Sequence, residues 1–211
     1  MSNSLGILGK KIGMTQIFAE NGNAMPMTVV KVGPCYITQI KSVENNNYKS
    51  IQIGYQNIPK FKLNKPELGH LEKHNNLCLK YLKEYPVKNI ENFTLGQVID
   101  INNFKEGEFV DVTSKSIGKG FAGNQKRNNF SRGPMTHGSK NHREPGSIGQ
   151  STTPGRVFPG KRMAGRLGGT QVTISKLKIF KIDAQENLLI IKGSVPGKPG
   201  NLLSIKLTKR F

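Results

Sequence analysis

Short runs of alternating and β-branched apolar residues dominate the first 57 positions of the chain. They predict four strands, over residues 12–18, 25–32, 36–42 and 50–55. Turn-forming residues separate these runs: Asn21-Gly22, Gly33-Pro34 and Asn45-Asn46-Asn47. The pattern is typical of a meander or of a small barrel.

A second group of strand patterns follows later in the chain. The predicted strands span 96–101, 108–114, 170–182, 188–192 and 202–207, with a hairpin turn over 183–187. We therefore expect a mainly β fold. Residues 1–57, 96–114 and 171–211 are expected to build a β-barrel, because closing a sheet leaves no unpaired edge.

The stretch 58–95 differs from its flanks in composition. Residues 65–85 favour one or two helices, with Pro66 near a first turn and Pro86 as a stop. We interpret 58–95 as a small, partly helical α/β insertion in the barrel.

Residues 115–170 form a long basic segment with eleven Lys and Arg, twelve Gly and a single acid, Glu144. A segment of this composition cannot bury a core of its own, and a long connection without secondary structure is usually functional. Its net charge of +10, within a chain of +19, predicts a polyanionic partner. We expect an extended, glycine-rich loop ordered by that partner.

Membrane and secretory functions are excluded by the apolar pattern. The longest aliphatic run, Leu188–Ile191, is far shorter than the roughly 20 residues needed to span a bilayer. Lys10 and Lys11 follow the N-terminal apolar patch instead of preceding it, which is the wrong order for a secretory signal. Cys35 and Cys78 show no metal or disulfide spacing, so we expect a reducing compartment.

Two glycine-rich motifs resemble phosphate-binding loops. Gly118-Lys-Gly-Phe-Ala-Gly123 spells a dinucleotide-binding fingerprint, but no amphipathic helix pattern follows it. The run 155–162 approaches a P-loop, yet Arg162 stands where the Mg²⁺-binding hydroxyl belongs and Pro159 removes an amide donor. Both runs share glycines beside basic residues, a chemistry that an RNA backbone satisfies equally well.

No catalytic or metal site is predicted. His70, His74 and Cys78 are spaced to share a helical face, but we interpret that face as solvent-exposed with a buried Cys, not as a zinc site. The histidines of the basic segment have no acidic partner apart from Glu144. We therefore expect no enzyme activity and no cofactor.

Three phenylalanines recur within the basic segment, at Phe121, Phe130 and Phe158. Each could stack on an unpaired base or pack against the barrel. We expect packing.

Several long motifs resemble a known family. They are Gly6-Ile-Leu-Gly-Lys-Lys-Ile-Gly-Met-Thr-Gln-Ile-Phe18, the run 118–130, Thr136-His-Gly-Ser, His142-Arg-Glu-Pro-Gly-Ser-Ile-Gly-Gln150, the run 153–165 and the run 187–197. Together they resemble ribosomal protein three of the large subunit, the universal L-three family in its bacterial form. The resemblance extends over nearly the whole chain.

The resemblance implies a six-stranded translation-factor-like barrel whose extension threads large-subunit rRNA toward the peptidyl transferase centre. It implies an early assembly protein, with large-subunit rRNA and neighbouring ribosomal proteins as partners and no membrane partner. The innermost part of the extension is expected over 137–153. The expected RNA-binding residues are Lys10, Lys11, Lys115, Lys119, Lys126, Arg127, Arg132, His137, Lys140, His142, Arg143, Arg156, Lys161, Arg162 and Arg166.

Two further expectations follow from the resemblance. In bacterial relatives the glutamine that matches Gln150 can be N5-methylated, so the resemblance makes Gln150 a candidate for methylation and a glutamine methyltransferase a candidate partner. The motifs at 129–143 and 192–200 resemble the cyanobacterial and plastid branch, and the Asn, Lys and Ile usage hints at AT-rich coding. With no transit peptide, we expect a ribosome of the plastid stroma, with the bacterial cytoplasm as the alternative.

Two rival functions use the same features. A free nucleic-acid chaperone or translation regulator needs only the charge and the disorder of the basic segment. A phosphate-handling enzyme would use the glycine-rich runs, but the sequence shows no obvious acidic metal ligand for it.

Overall fold

The computed structural model describes residues 5–73 and 77–208. These residues form two compact units. One comprises the chain up to Lys115 and from Gln171 onwards, and the other is Ser116–Thr170. We call the first the barrel unit and the second the basic unit. No helix in the described ranges has the length and apolar character needed to cross a membrane.

Six antiparallel strands of the barrel unit close into a barrel. Their order around it is β1-β12-β7-β10-β11-β2, which confirms the mainly β fold predicted from the sequence. The strands are β1 (Ile7–Phe18), β2 (Ala24–Val32), β7 (Phe109–Lys115), β10 (Gln171–Asp183), β11 (Leu188–Lys192) and β12 (Leu202–Leu207).

The other strands of this unit form a second sheet in the order β5-β4-β3-β6. They are β3 (Cys35–Lys41), β4 (Ser50–Asn57), β5 (Leu79–Pro86) and β6 (Val98–Ile99). The expectation that residues 1–57 and 96–114 all join the barrel is therefore wrong for β3, β4 and β6. Sequence alternation predicts a strand but does not select the sheet that the strand joins.

The insertion expected over 58–95 contains less helix than predicted. Helix α2 (Lys65–Glu72) has Pro66 in its first turn. At its start, Glu67 Oε2 accepts a hydrogen bond from the Asn64 N–H at 3.2 Å. Helix α1 (Val43–Asn46) is a single turn, and 3₁₀ turns cover Lys60–Lys62 and Ile101–Asn103. The prediction of helix up to residue 85 is wrong, because Leu79–Pro86 pairs with β4.

One core fills the barrel and the space under the second sheet. Alternate strand positions supply it, for example Val110 and Val112 of β7, both fully buried. Cys35 lies in this core, and burial raises the pKa of its thiol to about 12. Cys35 and Cys78 are both free thiols.

The basic unit is built from short elements only. They are β8 (Phe121–Ala122), α3 (Asn124–Asn128) and β9 (Gly165–Arg166). Ala122 is its single buried apolar residue among those described. The unit therefore has no apolar core, as its composition predicts.

Candidate nucleic-acid interface

Backbone hydrogen bonds form a two-stranded neck at the base of the basic unit. The Ser116 N–H donates to Thr170 O at 2.8 Å, and the Lys119 N–H donates to Leu167 O at 2.9 Å. Beyond them, β8 pairs with β9. Gly168 has φ +71°, and a Cβ there would lie 2.1 Å from Ile117 O. A glycine is therefore required at this point of the neck.

Side-chain amides and a guanidinium tie helix α3 to the returning chain. Arg127 Nη1 donates to Met163 O at 2.7 Å. Asn128 Nδ2 donates to the same carbonyl at 3.2 Å and to Asn124 Oδ1 at 3.0 Å. Asn124 is buried, so polar contacts replace the missing apolar core here.

A second polar closure holds the loop 133–142. The Gly133 N–H donates to His142 O at 3.0 Å, and His142 Nδ1 donates to Pro134 O at 2.8 Å. A Cβ on Gly133 would lie only 2.1 Å from Asn141 O. The imidazole of His142 thus shapes the loop, whereas His137 is exposed, with φ +59°.

The remaining turn of the unit, from Arg143 to Arg162, is exposed along its whole length. The Arg156 guanidinium carbon lies 6.0 Å from the centroid of the Phe158 ring. The Lys161 N–H donates to Phe158 O at 3.3 Å. Gln150 stands on this turn with its side chain exposed.

The charge of the basic unit faces solvent. All ten of its lysines and arginines are exposed, against a single acid, Glu144, so the unit carries +9. The two ion pairs recorded for the described residues, Lys41–Glu84 and Lys60–Glu72, both lie in the barrel unit. The basic unit therefore presents a dense array of cations without partners of opposite charge, which is suited to phosphates.

Nearly all predicted RNA-binding residues are accessible to a ligand. Lys10 and His142 are half-buried, and the exposed ones are Lys115, Lys119, Lys126, Arg127, Arg132, His137, Lys140, Arg143, Arg156, Lys161, Arg162 and Arg166. The structure brings all of them except Lys10 and Lys115 into the basic unit.

Lys11 is the exception, and its burial argues against the prediction of an RNA contact. Only 8% of Lys11 is exposed, and its Nζ donates to Val195 O at 2.9 Å and to Gly197 O at 3.1 Å. Burial lowers the pKa of this ammonium. Lys11 therefore secures the loop between β11 and β12, and its charge is not presented to a ligand.

The phenylalanines also differ from expectation. Phe121 is 80% exposed and Phe158 is 55% exposed, whereas Phe130 is half-buried. The expectation of packing is wrong for the first two, whose exposed rings can stack on bases.

Neither glycine-rich run has the structure of a nucleotide site. Gly118–Gly123 leads into α3, which is only five residues long. The run 155–162 is followed by no helix in the described structure. That an RNA backbone satisfies the chemistry of both runs stays a prediction.

The described residues contain no group of three His, Cys, Asp or Glu side chains that could hold a metal. His74, one of the three considered as ligands, lies outside the described residues. His70 Nε2 lies 2.9 Å from Gln52 Oε1, so this ring contacts the neighbouring sheet.

Sequence reasoning missed the residues that give the basic unit its form. Asn124, Asn128 and Gly133 carry no charge, so a search for phosphate ligands passes over them. A sequence signal exists for two of them. Asn124 follows Gly123 and precedes Asn128 by four residues, and in a helix this spacing places the two side chains on one face, where they can hydrogen-bond.

Comparison with known proteins identifies the family of this chain. The family model of ribosomal protein L3 matches residues 83–188. The chain is 61% identical over 207 residues to the large ribosomal subunit protein uL3 of Trichormus variabilis, covering 98% of each chain. The chain belongs to the ribosomal protein L3 family.

Two further relatives carry the name large ribosomal subunit protein uL3c. The one from Phaeodactylum tricornutum is 61% identical over 201 residues, covering 95% of this chain and 97% of that protein. The one from Guillardia theta is 58% identical over 202 residues, covering 96% and 99%. These relatives are named as ribosomal proteins and not as enzymes, as expected for a chain of this family.

Proposed function

We propose that this L3-family chain is a structural constituent of the large ribosomal subunit and that its basic unit binds large-subunit rRNA. The observation that carries the proposal is the exposure of ten cations on a unit with no apolar core, none of which forms an ion pair within the described part of the chain. Such a unit gains its order from polar contacts, and an RNA backbone supplies the complementary acceptors.

The chemistry of binding follows from the side chains. Arginines such as Arg132 and Arg143 can form paired hydrogen bonds with a phosphate, whereas Lys126 and Lys161 act as point charges. Phe121 and Phe158 supply ring faces for unpaired bases. The glycines let the backbone approach the RNA closely.

Finer parts of the proposal rest on the family. Residues 137–153 are the part proposed to reach furthest into the rRNA, toward the peptidyl transferase centre. Lys10 and Lys115 extend the contact to the barrel unit, which would also meet neighbouring large-subunit proteins. Binding early in assembly would order the basic unit around the folding rRNA.

Modification of Gln150 is a separate proposal. Its side chain is exposed and follows Gly149, whose carbonyl accepts the Ser147 hydroxyl at 3.0 Å. An exposed turn of this kind is accessible to a glutamine methyltransferase before assembly. Mass spectrometry of the peptide that contains Gln150 tests the proposal, because one added methyl group is expected on it and an unmodified peptide would overturn it.

The proposed compartment is the plastid stroma, with the bacterial cytoplasm as the alternative. Support comes from the uL3c relatives and from the heavy use of Asn, Lys and Ile. Probing isolated plastids with an antibody against the chain tests this proposal.

The salt dependence of RNA binding tests the central part of the proposed function, which is that the basic unit binds rRNA. The full chain is titrated against large-subunit rRNA transcribed in vitro, from low to high salt. If the cations of the basic unit neutralise phosphates, the slope of log K against log[salt] should change by roughly 0.7 to 0.9 for each contact. Replacing Arg132, Lys140 and Arg143 with Gln should make the slope shallower by about 2 to 3. An unchanged slope would contradict the proposal.

A further inference from the structure

The loop between β11 and β12 is held to the end of β1 by hydrogen bonds. The Gly200 N–H donates to Lys11 O at 2.7 Å, and the Lys11 N–H donates to Asn201 O at 3.1 Å. The Lys11 ammonium closes the middle of the loop through two of its carbonyls. We call residues 193–201 the brace loop.

The brace loop reaches Lys115, the last residue of the barrel unit before the basic unit. Asn201 Nδ2 donates to Lys115 O at 3.0 Å. Gly197 is buried beside the same carbonyl with φ +92°, and a Cβ there would lie 2.9 Å from Lys115 O and 2.5 Å from Asn201 Nδ2. Residue 197 therefore has to be glycine for the Asn201 amide to reach this carbonyl.

Strand pairing supports Lys115 on one side only. Toward β10, Lys115 pairs with Gln171. Toward β12, the register ends at the pair Ser114–Leu203, one position before Lys115. The Asn201 side chain therefore supplies a hydrogen-bond donor just beyond the end of this backbone ladder.

The chain that follows Lys115 is held by polar contacts alone. The neck begins with the hydrogen bond from the Ser116 N–H to Thr170 O, and the described residues of the basic unit form no apolar core. Segments with little buried apolar area open locally at low cost in free energy. Fixing the Lys115 carbonyl therefore reduces the conformations that are open to the neck.

We infer that the brace loop, through Asn201 and Gly197, positions the start of the neck and so preorganises the basic unit for its ligand. The inference rests on the proposed function, because large-subunit rRNA is that ligand. Asn201 is a positioning residue, since its amide binds Lys115 O and not the RNA. A surface that is ordered beforehand loses less conformational entropy on binding, so affinity rises without any added contact.

Closure of the barrel is the other role open to the brace loop. Strand β12 already pairs with β1 and with β7 through its own backbone. Barrel closure therefore does not depend on the Asn201 amide. The bond from Asn201 instead fixes β7 at the point where the chain leaves the barrel unit.

Hydrogen exchange of the full chain without RNA tests the positioning. In Asn201→Ala, the Ser116 and Lys119 amides should exchange several-fold faster, because the neck opens more often once Lys115 is released. Unchanged exchange at Ser116 and Lys119 would overturn the inference.

A reference amide and a control variant separate positioning from a general loss of stability. The Gly107 N–H donates to Ile179 O before the start of β7, so its exchange reports on the barrel and should change much less. Equal acceleration at Gly107 and Ser116 would overturn the positioning role. Asn102→Ala should leave both amides unchanged, because Asn102 is exposed and no side-chain hydrogen bond is recorded for it in the described structure.

Two glycines of the brace loop provide an independent comparison. Gly197 and Gly200 both have positive φ, +92° and +84°, but a Cβ on Gly200 meets no atom within 4 Å. Gly197→Ala should therefore accelerate exchange at Ser116, whereas Gly200→Ala should not. Equal exchange at Ser116 in the two variants would contradict the contact with Lys115 as its cause.

Titration against large-subunit rRNA transcribed in vitro tests the consequence for binding. Asn201→Ala should bind several-fold more weakly with an unchanged salt slope, because no cation is lost. A shallower slope, or unchanged affinity despite faster exchange at Ser116, would overturn the role in binding. If the unchanged chain itself does not bind the rRNA, the proposed function fails, whereas the exchange rates still decide whether the brace loop positions the neck.

Discussion

The Tyr85 hydroxyl lies 2.7 Å from Ser204 Oγ, and both residues are buried. This hydrogen bond connects the second sheet to the barrel across 119 positions of sequence. Burial raises the pKa of the Tyr85 phenol well above its usual range, so the group stays neutral and keeps the bond. The relationship explains how two sheets of different strand order share one core.

Replacing Tyr85 with Phe should destabilise the barrel unit. The substitution removes one hydrogen bond and leaves a buried Ser204 hydroxyl unpaired, which costs about 1 to 3 kcal/mol. Urea unfolding measures the loss. Tyr36→Phe is the matched control, because Tyr36 is half-buried and its hydroxyl has no recorded hydrogen bond in the described structure. Equal stability of the two variants would contradict the account.

Replacing Gly133 with Ala should disorder the loop 133–142 and weaken RNA binding. The new Cβ would meet Asn141 O at 2.1 Å, so the hydrogen bond from Gly133 to His142 O cannot persist. Hydrogen exchange should report faster exchange at the Gly133-to-His142 closure in the variant. Gly118→Ala is the control, because a Cβ there meets no atom within 4 Å. Similar exchange and affinity in both variants would count against the proposed role of the closure.

Replacing Lys11 with Met should lower stability without changing the RNA salt slope. The variant leaves the carbonyls of Val195 and Gly197 without their donor, at a cost of about 2 kcal/mol. Thermal unfolding and rRNA titration measure the two quantities. Lys31→Met, at an exposed position of β2, should change neither. A shallower slope for the Lys11 variant would restore this residue as a phosphate contact.

Acid should weaken the corner where β5 meets β3 and β4. The hydrogen-bonded Lys41 ammonium lowers the pKa of Glu84 below its ordinary value of 4.5, with a smaller contribution from Tyr48. Because the folded-state pKa is lowered, the stabilisation is present above pH 4.5 and is lost as the pH falls through the folded-state pKa.

The variant Glu84→Gln isolates this effect. Since the pair is partly exposed, the loss at pH 7 should be about 1 kcal/mol or less. The melting temperature of the variant should therefore be about 2 to 4 °C lower at neutral pH. As the pH falls below 4.5 and through the folded-state pKa, the two curves should converge. Parallel curves over that range would show that Glu84 does not carry the acid sensitivity.

Much of the fold could be predicted from local patterns. The Asn21-Gly22 and 183–187 turns each connect two strands that pair as hairpins, β1 with β2 and β10 with β11. Turn residues and alternation act over neighbouring positions, so a sequence records them directly. Strand β1 nevertheless begins at Ile7, five residues before the predicted start at residue 12.

Other features depend on distant contacts. Residues 79–85 have helix-forming composition, but Leu79, Tyr81 and Tyr85 also alternate, and pairing with β4 decides in favour of a strand. The burial of Lys11 depends on carbonyls almost two hundred positions away.

The sequence predicted those parts of the candidate interface that depend on charge alone. The density of Lys and Arg over 115–170 identified the segment, but not the polar closures of Asn124 and Gly133 that give it shape. Those closures depend on the returning chain at Met163 and His142, which no local pattern specifies.

The most direct test of the central claim is sedimentation of a native extract on a density gradient in high salt, with the chain followed by mass spectrometry. We expect the chain to migrate with the large ribosomal subunit through the salt wash. A variant whose ten basic-unit cations are replaced with Gln should be found at the top of the gradient. Release of the unmodified chain to the top would contradict the claim that it is a structural constituent of the subunit, and would point instead to a loosely bound nucleic-acid chaperone.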